Sequence, residues 1–126
     1  MENRPADRTG PKMVFERALD KLGQNGYCVV PNSFRVRSRG SSFSKAIFHV
    51  VSEGANRDAN QNLRDFIHGH MQEAGAFVDC QVVSSAKGRR THSVAMTFSR
   101  GTGAVPQEVV DAARKKIGVQ PGYEKP

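Results

Sequence analysis

In the stretch FRVRSRG, Arg35, Arg37 and Arg39 stand at every second position. Strand side chains alternate between faces, so the three would share one face while Phe34 and Val36 point the other way. Their spacing, about 6.5–7 Å between residues two apart on a strand, is close to that of successive phosphates along one nucleic-acid strand. A guanidinium also makes forked hydrogen bonds to phosphate oxygens. The plainer reading of the same alternation is an edge strand whose charges discourage pairing with other chains.

Other basic residues tip the balance toward phosphate. From Ser33 to Ser52 there are four basic residues, Lys45 being the fourth, and no acidic one. Between Gln81 and Arg100 there are again four (Lys87, Arg89, Arg90 and Arg100) and no acidic one. A surface that is merely soluble intersperses its charges. Here 19 Lys and Arg against 12 Asp and Glu give a net charge of +7, and the pI is near 9.9. A basic domain of this kind is attracted to polyanions. The candidate phosphate-binding residues are therefore Arg35, Arg37, Arg39, Lys45, Lys87, Arg89 and Arg90. If the segments bearing them share one sheet, they could form one continuous patch. Contacts of this kind are largely independent of base sequence.

Base stacking has little support. Trp is absent and the two tyrosines are Tyr27 and Tyr123. The paired sheet aromatics of an RNA-recognition motif and the glycine loop of a KH domain are both missing. A double-stranded-RNA-binding domain also opens with a helix followed by strands, but this chain interposes a further helix between its hairpins.

Catalytic chemistry is harder to build. His68 and His70 in HGH would sit about 200° apart around a helix, too far round to share a metal easily. His49 and His92 on strands are the one pair that could cleave RNA by acid–base catalysis. The chain contains no HExxH, P-loop, GxSxG or paired-carboxylate signature. SRGTGAVP reads as a loop rather than an anion site, because the phosphate-binding lysine motif is missing. Cys28 and Cys80 form no CxxC, and each lies in an apolar run, so both are expected to be buried, reduced thiols. A non-enzymatic protein without a metal or cofactor is expected.

Helical spacing of apolar residues marks MVFERALDKLG, from Lys12 to Leu22, with Gly23 as its stop. YCVV is a short strand, ended by Pro31 and Asn32. FRVRS and FSKAIFHVV form a hairpin across Gly40, Ser41 and Ser42, with Ala46, Phe48 and Val50 on one face of the second strand. Leu63, Ile67, His70 and Ala74 mark a second helix. AFVDCQVV and THSVAMTFS form a second hairpin, with Val78, Cys80 and Val82 facing one way. Pro106 opens a third helix, on which Val109, Val110, Ala113 and Ile117 form the apolar stripe. Arg114, Lys115 and Lys116 suit its C-terminal dipole.

The expected fold is α+β: a two-layer sandwich with a mainly antiparallel sheet from two hairpins and about three helices on one face. Residues 1–12 read as a mobile arm, 13–118 as a single domain and 119–126 as a tail. No apolar run approaches a membrane span, the N-terminus is too polar for a signal peptide, and the mean hydropathy is −0.54. A cytoplasmic protein, or one within a nucleoprotein particle, is expected. Its function is predicted to be nucleic-acid binding, with RNA ahead of DNA. The alternative is a viral or other particle assembly factor acting through protein partners, which could be a homodimer formed by edge pairing.

Overall fold

A computed structural model describes residues 10–38, 43–52, 58–74, 77–84, 91–99 and 105–118. The elements are α1 (Pro11–Gln24), β1 (Tyr27–Val29), β2 (Arg35–Ser38), β3 (Phe43–Ser52), α2 (Ala59–Met71), β4 (Phe77–Ser84), β5 (Thr91–Ser99) and α3 (Gln107–Lys116). They form the α+β sandwich expected from the sequence pattern.

Each helix follows from its apolar spacing. Val14, Phe15, Ala18 and Leu22 give α1 one buried stripe, and Pro11 sits in its first turn, where no amide donor is needed. The helix runs through Gly23. It stops where the Asn25 side chain donates to the Lys21 carbonyl at 2.8 Å and Gly26 takes a positive φ of 85°. On α2 the buried stripe is Ala59, Leu63, Ile67 and Met71. His70 lies beside that stripe rather than on it. Val109, Ala112 and Ala113 are the buried residues of α3.

All ladders are antiparallel. β2 pairs with the first half of β3, Arg35 opposite Ile47 and Arg37 opposite Lys45. β1 pairs with the second half, Tyr27 opposite Ser52. The two short strands are thus one edge strand interrupted at Pro31–Ser33, where Asn32 adopts φ 58°. Ser33 Oγ fills the gap in the ladder. It donates to the Val30 carbonyl at 2.8 Å and accepts the His49 amide at 3.0 Å. β5 pairs with β3 along nearly its whole length, and β4 pairs with β5. The order across the sheet is β1/β2, β3, β5, β4.

The helices cover one face. α1 packs against α2, α3 and β1, while α2 lies on β4. The end of α3 is fastened to the interrupted edge strand. Asn32 N–H donates to the Ile117 carbonyl at 2.7 Å, and Phe34 N–H to the Gly118 carbonyl at 3.1 Å. The layer therefore runs from α3 at the β1/β2 edge, through α1, to α2 at the β4 edge. Between helices and sheet lies a core that includes Phe34, Ala46, Phe48, Val50, Val94, Met96 and Phe98. Phe15 and Phe48 meet edge to face with ring centroids 6.2 Å apart. Ser44 is buried in the same layer, and its hydroxyl has no hydrogen-bond partner among the described residues.

Two expectations need correction. A bulge between Phe77 and Asp79 shifts the β4 register, so Phe77 rather than Val78 shares the core face with Cys80 and Val82. Val78 is left 45% exposed. Only one thiol is buried. Cys80 lies in the core, whereas Cys28 is exposed because β1 is an edge and its register places Cys28 opposite Val51, away from the helices. Burial pushes the Cys80 thiol up to about 12. Among the described residues, no helix is long and apolar enough to cross a membrane.

Candidate nucleic-acid interface

Strand alternation decides which residues reach the face away from the helices. In register across the sheet, one row is Arg37, Lys45, Thr97 and Asp79; the next is Arg35, Ile47, Ala95 and Gln81. Arg37 and Lys45 are direct cross-strand neighbours, about 5 Å apart at Cβ. Arg35 is two residues along the same strand. Three cations thus form a triangle at one corner of the open face, and no residue facing them across the β2–β3 or β3–β5 ladder is acidic.

Ile47 is only 4% exposed although it stands on this face. The long stems around it can cover its surface while their charged heads stay in water. His49 is next along β3. Its burial, and secondarily the positive charge of Arg35, hold its pKa below the ordinary histidine value of 6.5. It is therefore mainly neutral at pH 7 and adds no fourth charge.

Among the described residues of this face the one acid, Asp79, lies at the far edge and is already engaged. Its carboxylate accepts the Cys80 amide at 2.8 Å and Arg64 Nη2 at 2.9 Å. The amide bond first, and Arg64 second, lower its pKa. Arg64 Nε also donates to the Cys80 carbonyl at 3.2 Å. Both backbone polar groups of Cys80 on the open edge of β4 are thus occupied, which blocks strand addition there. A cavity of about 420 Å³ runs along that edge, lined by Asn60, Gln61 and Arg64 of α2 and by residues 79–83.

Of the predicted site residues, Arg35, Arg37 and Lys45 are brought together. Arg39, Lys87, Arg89 and Arg90 lie outside the described residues. The strand ends that bracket the last three are informative. The 85–90 connection joins Ser84 to Thr91, which pairs with Val51, whereas the 39–42 connection joins Ser38 to Phe43, which pairs with Ser99. The two hairpins share one sheet, but their connections leave from opposite ends, about 27 Å apart along β3. The basic residues of β2 and β3 thus form their own cluster at one end.

The histidines do not form a catalytic pair. His49 faces the open side, while His92 pairs with Val50 on the helix side and is 1% exposed. His92 belongs to a buried network that the sequence did not reveal. Its Nδ1 is 2.7 Å from Asn60 Oδ1 and its Nε2 is 3.0 Å from Ser52 Oγ. Asn60 Nδ2 in turn donates to Ser84 Oγ at 3.0 Å, an orientation that turns Asn60 Oδ1 toward the imidazole. The neutral imidazole therefore carries its proton on Nδ1 and accepts from Ser52. Spacings of 24 to 40 residues between these partners leave no local pattern to find. On α2, His70 packs on Phe66 at 4.5 Å and His68 on Phe77 at 5.7 Å, so the two diverge. Among the described residues no group of His, Cys, Asp and Glu could hold a metal ion.

Comparisons of the chain with protein-family models, with curated proteins and with solved structures find no match.

Proposed function

We propose that this protein binds nucleic acid through its phosphate backbone, using the open corner of the sheet formed by β2 and β3. The observation that carries the proposal is the placement of Arg35, Arg37 and Lys45 together on one uncovered face, with no acidic residue opposite them in the ladders. Guanidinium groups at phosphate-like spacing provide forked donors, and the lysine adds a point charge. Contacts to the phosphate backbone carry no base information, so recognition on this reading is largely sequence-independent. Arg39, Lys87, Arg89 and Arg90, outside the described residues, are proposed as further phosphate contacts on the sequence alone. RNA is the first ligand to test, with DNA beside it.

The test is fluorescence anisotropy of labelled RNA and DNA across a salt series. The comparison variant is Arg35→Gln/Arg37→Gln/Lys45→Gln, which keeps long polar stems near Ile47. Each phosphate contact contributes about 0.7–0.9 to the slope of log affinity against log salt, so the variant should lose about 2–3 from the wild-type slope. Parallel slopes would refute the assignment of this corner. If the wild type binds neither nucleic acid at low salt, the whole reading fails, and the arginines are left as guards of an edge strand.

A further inference from the structure

The three cations at the end of α3 are accounted for in the sequence by the helix dipole, but the fold places them beside the β2 corner. Arg114, Lys115 and Lys116 are all exposed, and none makes an ion pair with the described residues. The next two residues, Ile117 and Gly118, accept hydrogen bonds from Asn32 and Phe34. Arg35 follows Phe34 directly. The close approach needs a glycine: Gly118 has φ 93°, and a Cβ there would run into Asn32. The basic end of α3 is therefore pinned to the strand that carries the arginine stripe.

This gives the edge strand two basic groups. One, the row made by Arg35, Arg37 and Lys45, lies on the open side of the sheet. The other, Arg114, Lys115 and Lys116, fans around the last turn of α3 on the helix side. The two groups flank this edge on its opposite faces. The opposite edge has a different character: among the described residues, α2, the turn after it and β4 carry Asp65, Glu73 and Asp79, with Arg64 paired to two of them. α3 also carries Glu108 and Asp111, toward its start, but the described residues of β2, β3 and α3 still hold six Lys and Arg against these two acids, so the balance of positive charge lies on both sides of this edge.

We infer that this edge seats double-stranded nucleic acid, with one basic group on each of its two phosphate backbones. The inference rests on the nucleic-acid reading above and names the form of the ligand. A duplex presents two lines of phosphate, one on each side of a groove, and can meet both groups at once. A single strand presents one line and engages one group at a time. Aromatic placement points the same way. Single strands gain much of their affinity by stacking bases on rings. Here Phe34, Phe48 and Phe98 are buried in the core, and Tyr27 and Phe77 pack against it. The described part of the open face offers no aromatic platform beyond the half-buried imidazole of His49.

The experiment compares duplex RNA, duplex DNA and single-stranded RNA of equal length in the same salt series. Wild type is set beside Arg114→Gln/Lys115→Gln/Lys116→Gln, with circular dichroism confirming that both are folded. Either duplex should bind the wild type at least about 10-fold tighter than the single strand, because two groups rather than one release counterions. The tighter duplex identifies the form read. The α3 variant should lose about 10-fold or more on that duplex, with a slope lower by about 2, and little on the single strand. The internal comparison matters, since a general loss of charge would weaken all ligands alike. Equal binding of single strand and duplex, or an α3 variant that binds duplex like the wild type, overturns the inference and leaves the β2–β3 corner standing. Failure of the wild type to bind any ligand overturns both.

Discussion

Acid should destabilise this protein well before its carboxylates titrate. His92 is 1% exposed and held in its neutral form, burial keeping its pKa below the ordinary 6.5. His49 is shifted in the same direction, by burial first and by Arg35 second. In the unfolded chain both take up a proton as pH falls through that ordinary value, so unfolding absorbs protons and stability drops. The stability they contribute is present above pH 6.5 and is lost as pH falls below it. One extra proton bound on unfolding corresponds to a slope of about 1.4 kcal/mol per pH unit, which is the ceiling for His92 alone. His49 adds less, because solvent screens its partly exposed ring. Asp79 acts in the same sense but only below its ordinary value of 3.8, outside this window. The assay is urea unfolding at pH 7.5, 6.5 and 5.5 for wild type and His92→Leu. At pH 7.5 the variant should be weaker by about 1–3 kcal/mol, since Ser52 and Asn60 lose their partner. Its stability should then fall less steeply with acid, so that the two curves converge. Parallel curves, or a wild type whose stability is flat from pH 7.5 to 5.5, would refute the account of a neutral buried imidazole.

Three other changes have defined outcomes. Asn60→Ala leaves the His92 Nδ1–H without its acceptor and should cost about 1–3 kcal/mol in the same urea assay at pH 7.5; an unchanged midpoint would mean that water takes the vacated place. Ser44→Ala removes a buried hydroxyl with no partner among the described residues and should stabilise the fold by about 1 kcal/mol, read as a rise in melting temperature. A loss of stability there would show that the hydroxyl is satisfied. Gly118→Ala forces a side chain into a left-handed conformation and against Asn32, at a cost of about 2 kcal/mol. Amide exchange at Asn32 and Phe34 should speed up before that at β5, and uniform acceleration would mean that this junction does not open on its own.

The local elements were legible because each is set by a short-range pattern. FRVRS and FSKAIFHVV alternate, and they pair as β2 and β3 with the arginines on the open face. The helices follow the spacing of Val14, Ala18 and Leu22, of Leu63 and Ile67, and of Val109 and Ala113. What escaped reading depends on partners that are distant in sequence. YCVV reads as a buried strand by composition, yet Cys28 is exposed because β1 ends up at an edge. The bulge at Val78 is set by pairing with β5. Of the seven candidate phosphate-binding residues, three are assembled at one corner, and the strand pairing places the hairpin connections at opposite ends of the sheet. The end of α3 looked complete as a dipole partner. Its position beside Arg35 depends on two backbone hydrogen bonds that no local pattern encodes.

The place of β5 bears on how the chain folds. β3 and β4 are linked through α2, yet they do not touch; they run parallel with β5 inserted between them. The β4–β5 hairpin is local and needs only a short closure. Joining β5 to β3 brings together residues at least 40 positions apart, from Val51 with Thr91 to Phe43 with Ser99. The entropy of that closure must be met before most of the central ladder repays it. Folding should therefore be timed by the docking of one hairpin against the other, and substitutions at the β3–β5 seam should slow folding, whereas changes in the peripheral α3 mainly quicken unfolding. Until the seam closes, β3 and β5 each present an unpaired edge beside an apolar face. The interval before docking is thus the stage at which this protein is most exposed to pairing with another copy of itself.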